Sequence, residues 1–144
     1  MDIEKFSTVP LFEGLDYKQV SELLKLAEDV SPKSGDEIVR QGEPGDGFYI
    51  ISAGSFEVLK AGSGESTVLA RLEELSYFGE MSLVSQEVRA ASVICVADGR
   101  LKKFSAQKFS ELLDAGNLTA YKVVHNMCRI LAQRLARLEE RMVS

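Results

Sequence analysis

The residues best suited to chemistry are a glycine, a carboxylate and an arginine at short spacing. Gly79 directly precedes Glu80, and Arg89 follows nine positions after Glu80. Glycine permits a positive φ and the close approach of a ligand. Arginine presents a permanent cation and a planar fork of donors, which suits an oxyanion. This spacing predicts an anion-binding loop.

The segment between Gly79 and Arg89 adds a second kind of group. Met81 to Ser85 are predicted to form one helical turn. The unpaired N–H groups and partial positive charge at such a start favour an anion. Glu80 only accepts hydrogen bonds, so it suits the hydroxyl of a sugar. An acceptor beside an anion pocket predicts a ligand with both groups, a phosphorylated ribose. The competing interpretation is a surface salt bridge between Glu80 and Arg89, which would contribute little.

The elements that must position these residues fall into three zones, predicted to form a single domain over residues 1–144. Residues 6–30 are predicted to form an N-terminal helical segment, because apolar residues recur at three- and four-residue steps and Asp16 can cap a helix. Residues 36–104 hold short apolar runs between Gly, Asp and Ser, which favours a sandwich, barrel or jelly roll. These runs are Ile38-Val39, Phe48–Ile51, Phe56–Leu59, Val68–Leu72, Ser92–Val96 and Leu101–Phe104.

Residues 105–144 are predicted to be C-terminal helices. Ser105 can cap the first helix, and Gly116 can end it. The second helix is expected to run from Asn117 to Met142, with apolar residues at heptad spacing that predict a coiled-coil homodimer through 121–142. These seam residues are Tyr121, Val124, Cys128, Leu131, Leu135, Leu138 and Met142.

The composition disfavours several classes of function, among them direct nucleic-acid binding and metal-dependent or imidazole catalysis. The chain has 144 residues, 45% of them apolar and 27% charged, which is typical of a soluble globular domain. A net charge of −5 argues against direct nucleic-acid binding, and a single histidine argues against a metal site or imidazole catalysis. Two cysteines inside apolar runs, no secretory leader at Met1–Lys5 and no bilayer-spanning window predict a cytoplasmic protein.

The motifs resemble those of the cyclic-nucleotide-binding domain family, which includes catabolite activator proteins, protein kinase A regulatory subunits and cyclic-nucleotide-gated channels. Phe78–Leu83 followed by Arg89–Ser92 is the most specific match, because both parts are required at defined spacing. Further matching segments are Val9–Phe12, Gln41–Glu43, Gly45-Asp46, Phe48–Ile51 and Ala53–Ser55.

The resemblance implies a mainly β fold with flanking helices, an eight-stranded antiparallel β-roll resembling a jelly roll. It implies a stand-alone domain that binds a cyclic nucleotide without catalysis, needs no cofactor or metal, and repositions its C-terminal helix for a downstream protein. Glu80 would bind the ribose 2′-hydroxyl and Arg89 the cyclic phosphate, with backbone amides of Met81, Ser82 and Ala90 completing the phosphate site. Turn-forming glycines would be Gly45, Gly54 and Gly79, and helix residues near the base would be Leu135 and Leu138.

Two positions depart from the family pattern or refine it. Val88 occupies a position that is often Pro, and Ala90 occupies one where cGMP-selective members tend to place Thr. We therefore expect cAMP rather than cGMP. The alternatives are a degenerate β-roll that only makes protein contacts or dimerises, the remnant of a transcription regulator whose helix-turn-helix would lie beyond Ser144, and a cupin-like metal enzyme. Asp46 and Gly47 are interpreted as a turn without a ligand role.

Overall fold

The computed structural model describes residues 3–85 and 87–143. Met1, Asp2, Gln86 and Ser144 lie outside the described residues, and with them the two ends of the predicted domain and one position of the predicted anion loop. The chain divides into two compact units, one of Met1–Lys25 with Leu112–Ser144 and one of Leu26–Glu111. A single domain over 1–144 therefore stays a prediction.

The first unit is helical. Its elements are α1 (Ile3–Phe6), a 3-10 helix (Pro10–Phe12), α2 (Tyr17–Leu26, whose last residue belongs to the second unit) and α4 (Leu118–Val143). Asp16 and Gln19 form a reciprocal cap: the Gln19 amide donates to Asp16 Oδ1 at 2.8 Å, and the Asp16 amide donates to Gln19 Oε1 at 3.0 Å. The 3-10 helix lies against α4, where Asn126 Nδ2 donates to the carbonyls of Leu11 and Glu13, each at 2.9 Å.

The second unit is an antiparallel sheet followed by α3 (Ala106–Asp114, whose last three residues belong to the first unit). Its described strands are β1 (Glu28–Val30), β2 (Glu37–Val39), β3 (Gly47–Ala61), β4 (Ser66–Leu72), β5 (Tyr77–Phe78) and β6 (Ser92–Ser105). β3 and β6 pair along their length, from Gly47 opposite Ser105 to Leu59 opposite Ser92. The strands β1 and β2 pair with β6, and β4 and β5 pair with β3. The mainly β fold with flanking helices is confirmed.

The predicted strand number is corrected from eight to the six strands of the described residues. Phe48–Ile51 and Phe56–Leu59 are two parts of β3, and Ser92–Val96 and Leu101–Phe104 are two parts of β6. The apparent turn at Gly54 is a bulge in continuous pairing, where the register shifts and φ is +90°. A Cβ on Gly54 would lie 2.6 Å from Gly99 Cα, so the two strands cross there at close approach.

The predicted helical segment 6–30 is wrong at its end. Glu28–Val30 form β1, which pairs with Leu101–Lys103 of β6. The predicted β-roll of 36–104 consequently extends to 28–105. A three-residue strand whose partner lies more than seventy positions away has no local pattern that distinguishes it from a helix end.

Aromatic packing holds the sheet and α3 together. Phe48 stacks on Phe104 at 4.9 Å between ring centroids and meets the edge of Phe109 of α3 at 5.4 Å. Tyr49 stacks on Phe78 at 4.9 Å. Because Phe78 directly precedes Gly79, this stack fixes the start of the predicted anion loop.

The long helix α4 buries a different face from the predicted heptad seam. Ala120, Val123 and Met127 are buried together with Asn126. Exposed seam residues are Tyr121, Cys128, Leu135, Leu138 and Met142, and half-buried ones are Val124 and Leu131. The seam is thus separate from the face that packs within the chain.

Candidate functional site

The six residues predicted to bind a nucleotide within the sheet unit line one cavity of about 230 Å³. They are Gly79, Glu80, Met81, Ser82, Arg89 and Ala90. Glu80 and Arg89 therefore line the same cavity, as a shared ligand site requires, and do not lie on separate surfaces. The predicted helical turn is present as a 3-10 helix over Glu80–Leu83, one residue earlier than expected.

Arg89 is fixed by its own backbone. Its amide donates to the Glu43 carbonyl at 2.8 Å, and its carbonyl accepts from the Gly42 amide at 2.9 Å. An isolated bridge between Pro44 and Val88 continues the same pairing. Although the described residues of 84–91 form no strand, this two-sided pairing gives Arg89 a defined position.

The guanidinium of Arg89 is also held in place. Nη1 donates to the Gly79 carbonyl at 3.1 Å, and Nη2 donates to the Gly47 carbonyl at 3.0 Å. The side chain is only 9% exposed. Arginine has five N–H donors, and these two bonds use two of them. The geometry provides a preorganised cation on the wall of the cavity.

Two glycines allow the guanidinium to lie this deep. Gly79 has a φ of +84°, and a Cβ on it would lie 2.7 Å from Arg89 Nη1. A Cβ on Gly45 would lie 3.2 Å from Arg89 Cζ and 2.8 Å from Ser82 Cβ. A side chain at Gly79 is therefore excluded by Arg89 and by the backbone conformation, and one at Gly45 is excluded foremost by Ser82, with Arg89 in tight contact.

The Ser82 hydroxyl lies within hydrogen-bond distance of the two carbonyl oxygens that accept from Arg89. The two distances are 2.8 Å to the Gly79 carbonyl and 3.0 Å to the Gly47 carbonyl. The Ser82 amide donates to the Gly79 carbonyl at 3.2 Å. Of the backbone amides predicted to bind phosphate, that of Ser82 is thus already engaged within the 3-10 helix.

The carboxylate of Asp46 forms an ion pair with Arg89. From the sequence, Asp46 is predicted to lie in a turn without a ligand role. Asp46 Oδ1 lies 3.7 Å from Arg89 Nη2, and Asp46 Oδ2 accepts from Lys103 Nζ at 2.9 Å. Burial lowers the pKa of the Lys103 ammonium, but the hydrogen bond and charge of Asp46, together with Tyr49, raise it overall above its ordinary value. No spacing rule connects Asp46 to Arg89, since the β3–β6 register and the Gly42–Pro44 pairing bring them together.

Part of the cavity lining is apolar. Met81 and Val88 line it and are each more than half exposed, and Val39 and Val58 line it as well. Glu80 is half-buried. An acceptor carboxylate, a guanidinium and apolar surface in one hollow suit a small ligand with a hydroxyl, an anionic group and a flat apolar part.

The remaining site predictions concern other parts of the chain. Leu135 and Leu138 lie on α4 and are 56% and 53% exposed, so their role near a base stays a prediction. Among residues 3–85 and 87–143, no group of three His, Cys, Asp or Glu side chains is placed to hold a metal ion. None of the described helices is both long and apolar enough to cross a bilayer.

Comparison with known proteins gives a consistent match. Residues 30–115 match the family model described as the cyclic nucleotide-binding domain. The cAMP-dependent protein kinase regulatory subunit of Mucor circinelloides is 42% identical over 96 residues, which is 67% of this chain and 22% of that subunit. The chain spans 22% to 35% of the length of the curated relatives it matches.

Solved structures share the fold. The catabolite activator protein of Thermus thermophilus superimposes with a TM-score of 0.83 and 28% identity, over 92% of this chain and 61% of that one. The regulatory domain of Toxoplasma gondii PKA, a co-crystal structure with cAMP, gives a TM-score of 0.74 and 25% identity, over 94% and 48% of the two chains.

Proposed function

Because the chain belongs to the cyclic nucleotide-binding domain family, we propose that its cavity binds cAMP and acts as a regulatory sensor without chemically changing the ligand. The observation that carries this proposal is the position of Glu80 and Arg89 on one cavity of about 230 Å³. Similarity to a protein crystallised with cAMP supports the choice of ligand. Ala90 supports it too, because its methyl group offers no hydroxyl to a guanine amino group.

In this proposal Arg89 binds the cyclic phosphate through the N–H groups that the two carbonyls leave over. Glu80 accepts a hydrogen bond from the ribose 2′-hydroxyl, and the amides of Met81 and Ala90 donate to the phosphate. The depth at which Arg89 is held favours strong binding, since a charge-assisted hydrogen bond in a partly desolvated site is stronger than one in water.

Calorimetric titration with cAMP and cGMP tests the proposal. We expect micromolar or tighter binding of cAMP and weaker binding of cGMP. Arg89→Ala and Glu80→Ala should each remove a hydrogen bond to a charged group, about 1.5–3 kcal/mol, or a roughly 10- to 150-fold higher Kd. Arg89→Lys keeps the charge without the fork, and its affinity should fall between those of the parent and Arg89→Ala.

Matched controls separate the site from general charge effects. Arg100→Ala and Glu73→Ala remove the same residue types at exposed positions of the sheet unit. These controls should bind as the parent does, and thermal unfolding of every variant shows whether it is folded. Unchanged affinity in folded Arg89→Ala and Glu80→Ala would refute the assigned site. A parent that binds neither nucleotide would favour the alternative, a degenerate β-roll that serves only as an interaction module.

We also propose a parallel homodimer through α4. Support comes from the heptad seam, of which five residues are exposed: Tyr121, Cys128, Leu135, Leu138 and Met142. The buried face of the same helix consists of other residues, among them Ala120, Val123 and Met127. A parallel, in-register pair would bring the two Cys128 thiols together at one level of the seam. Mild oxidation should therefore yield a covalent dimer.

Sedimentation tests the same interface without oxidation. Leu135→Lys places a charge on the seam and should give monomers, whereas Gln133→Lys places the same charge on the outer face of α4 and should not. A parent that sediments as a monomer at tens of micromolar would refute the dimer. A separate measurement tests the proposal that the ligand repositions α4 and brings Leu135 and Leu138 near the base. The rate at which a thiol reagent labels Cys128 should differ with and without cAMP.

The location of the protein in the cell and its downstream partner are also proposals, since the chain matches only 22% to 35% of the length of four curated relatives. A cytoplasmic location is supported by the two cysteines, neither of which forms a disulfide. The downstream partner is proposed to be a protein, because a net charge of −5 disfavours nucleic acid.

A further inference from the structure

The carboxylate of Asp46 lies between two cations. Oδ1 is 3.7 Å from Arg89 Nη2, and Oδ2 accepts from Lys103 Nζ at 2.9 Å. The Asp46 main-chain carbonyl also accepts from the Ala106 amide at 2.9 Å, which ties this loop to the start of α3. Asp46 is therefore anchored by Lys103 and by the start of α3, and it is not among the described residues that line the cavity.

The side chain of Lys103 is mostly buried and contacts both Asp46 and the ring of Tyr49. Its side chain is 23% exposed, and Nζ lies 5.7 Å from the centroid of the Tyr49 ring, within the range of a cation–π contact. The raised pKa of its ammonium keeps it charged across the physiological range. Lys103 is not among the described residues that line the cavity, so any effect on a ligand there is indirect.

We propose that Lys103 is a positioning residue that sets the affinity of the Arg89 site for its anionic ligand, by holding the Asp46 carboxylate in a hydrogen bond of its own and at ion-pair distance, beyond hydrogen-bond distance, from the guanidinium. This inference rests on the proposed function. A carboxylate beside Arg89 competes with a phosphate for the same cation and repels it. A second cation in contact with that carboxylate weakens the competition, and the three groups together carry one net positive charge.

Lys103→Met tests this, because methionine keeps an unbranched apolar chain against Tyr49 and removes the charge. We expect the Kd for cAMP to rise about 5- to 10-fold, because the Asp46 carboxylate is then free to pair with the guanidinium and compete with the phosphate. Lys103→Arg should restore the parent affinity. Lys102→Met is the matched control: Lys102 is the neighbouring lysine of β6 and is paired with Asp29. Its loss should leave the Kd unchanged.

A double-mutant cycle separates this role from a general structural one. If Lys103 acts through Asp46, then Lys103→Met in an Asp46→Asn background should change the Kd by less than about 2-fold. A parent-like Kd for Lys103→Met, or the same loss in both backgrounds, would overturn the inference and leave the cAMP site intact. A parent that binds no cyclic nucleotide would overturn both.

Discussion

Replacing Gly79 with alanine tests how closely the anion loop is built around Arg89. Gly79 has a φ of +84°, in the left-handed region where an L-residue is disfavoured by about 1–2 kcal/mol. Alanine also restricts the unfolded chain, which offsets part of this by about 0.4–1 kcal/mol. The backbone effect alone should thus lower the free energy of unfolding by roughly 1 kcal/mol.

The new methyl group has a second effect. It would lie 2.7 Å from Arg89 Nη1 and 2.9 Å from the Gly47 carbonyl oxygen. That carbonyl belongs to the first residue of β3, whose backbone lies close to that of Phe104, since a Cβ on Gly47 would lie only 2.3 Å from the Phe104 carbonyl oxygen. We therefore expect the guanidinium to move and to lose its bond to the Gly79 carbonyl. This adds about 1.5–3 kcal/mol, for a total of roughly 2.5–4 kcal/mol.

Gly64→Ala is the matched control. Gly64 has a φ of +91°, and no described atom lies within 4 Å of a Cβ placed on it. It therefore reports the backbone effect without the contact. Urea unfolding of both variants gives the difference, and calorimetry gives the cAMP affinity, which should fall at least about 10-fold in Gly79→Ala and stay unchanged in Gly64→Ala.

The outcome that contradicts this reasoning is equal stability and equal affinity in the two variants. That result would mean that the guanidinium moves at no cost and that its position relative to Gly79 is unimportant for the ligand.

Two other predictions concern the first unit and the thiols. Asn126→Ala should lower the free energy of unfolding in urea by about 1–3 kcal/mol, because the buried carbonyl of Leu11 and the partly buried carbonyl of Glu13 lose their donor. Asn117→Ala removes only the cap of α4 and should lower it by about 1 kcal/mol. An Asn126 effect no larger than this would contradict the burial argument. Native protein at low concentration should react with a thiol reagent at Cys128 but not at buried Cys95, whereas unfolded protein should react at both. Burial foremost, and then the charges of Asp98 and Asp36, raise the pKa of the Cys95 thiol above 9.0. The thiol therefore stays protonated to a higher pH in the folded state than in the unfolded state. Its contribution to the free energy of unfolding is present below pH 9.0 and declines above it. Alkaline unfolding of Cys95→Ala should lack that decline, and an identical pH dependence would refute the assignment.

The sequence allowed the fold class and the local part of the site to be predicted, because both depend on short patterns. Gly79, Glu80 and Ser82 lie within one loop, and Arg89 follows nine positions after Glu80, so their proximity in the sequence could be recognised, although pairing with Gly42–Pro44 fixes the position of Arg89. The caps at Asp16 and Ser105 are formed as predicted, by side-chain acceptors for amides three residues on.

The parts that could not be predicted depend on distant pairing. The apparent turn at Gly54 is a bulge because β6 continues alongside it, and Glu28–Val30 form a strand because β6 offers them an edge. The same pairing brings Asp46 and Gly47 to Arg89 from about forty positions away. In α4 both the buried face and the seam have helical spacing, so periodicity alone could not distinguish them.

The overlap between Ser82 and Arg89 has a consequence for how securely the guanidinium is supported. Both side chains lie within hydrogen-bond distance of the carbonyl oxygens of Gly47 and Gly79. The Gly79 carbonyl also accepts from the Ser82 amide. Each of the two oxygens therefore has more than one donor within reach, and the loop around the arginine depends on a network of contacts instead of a single bond.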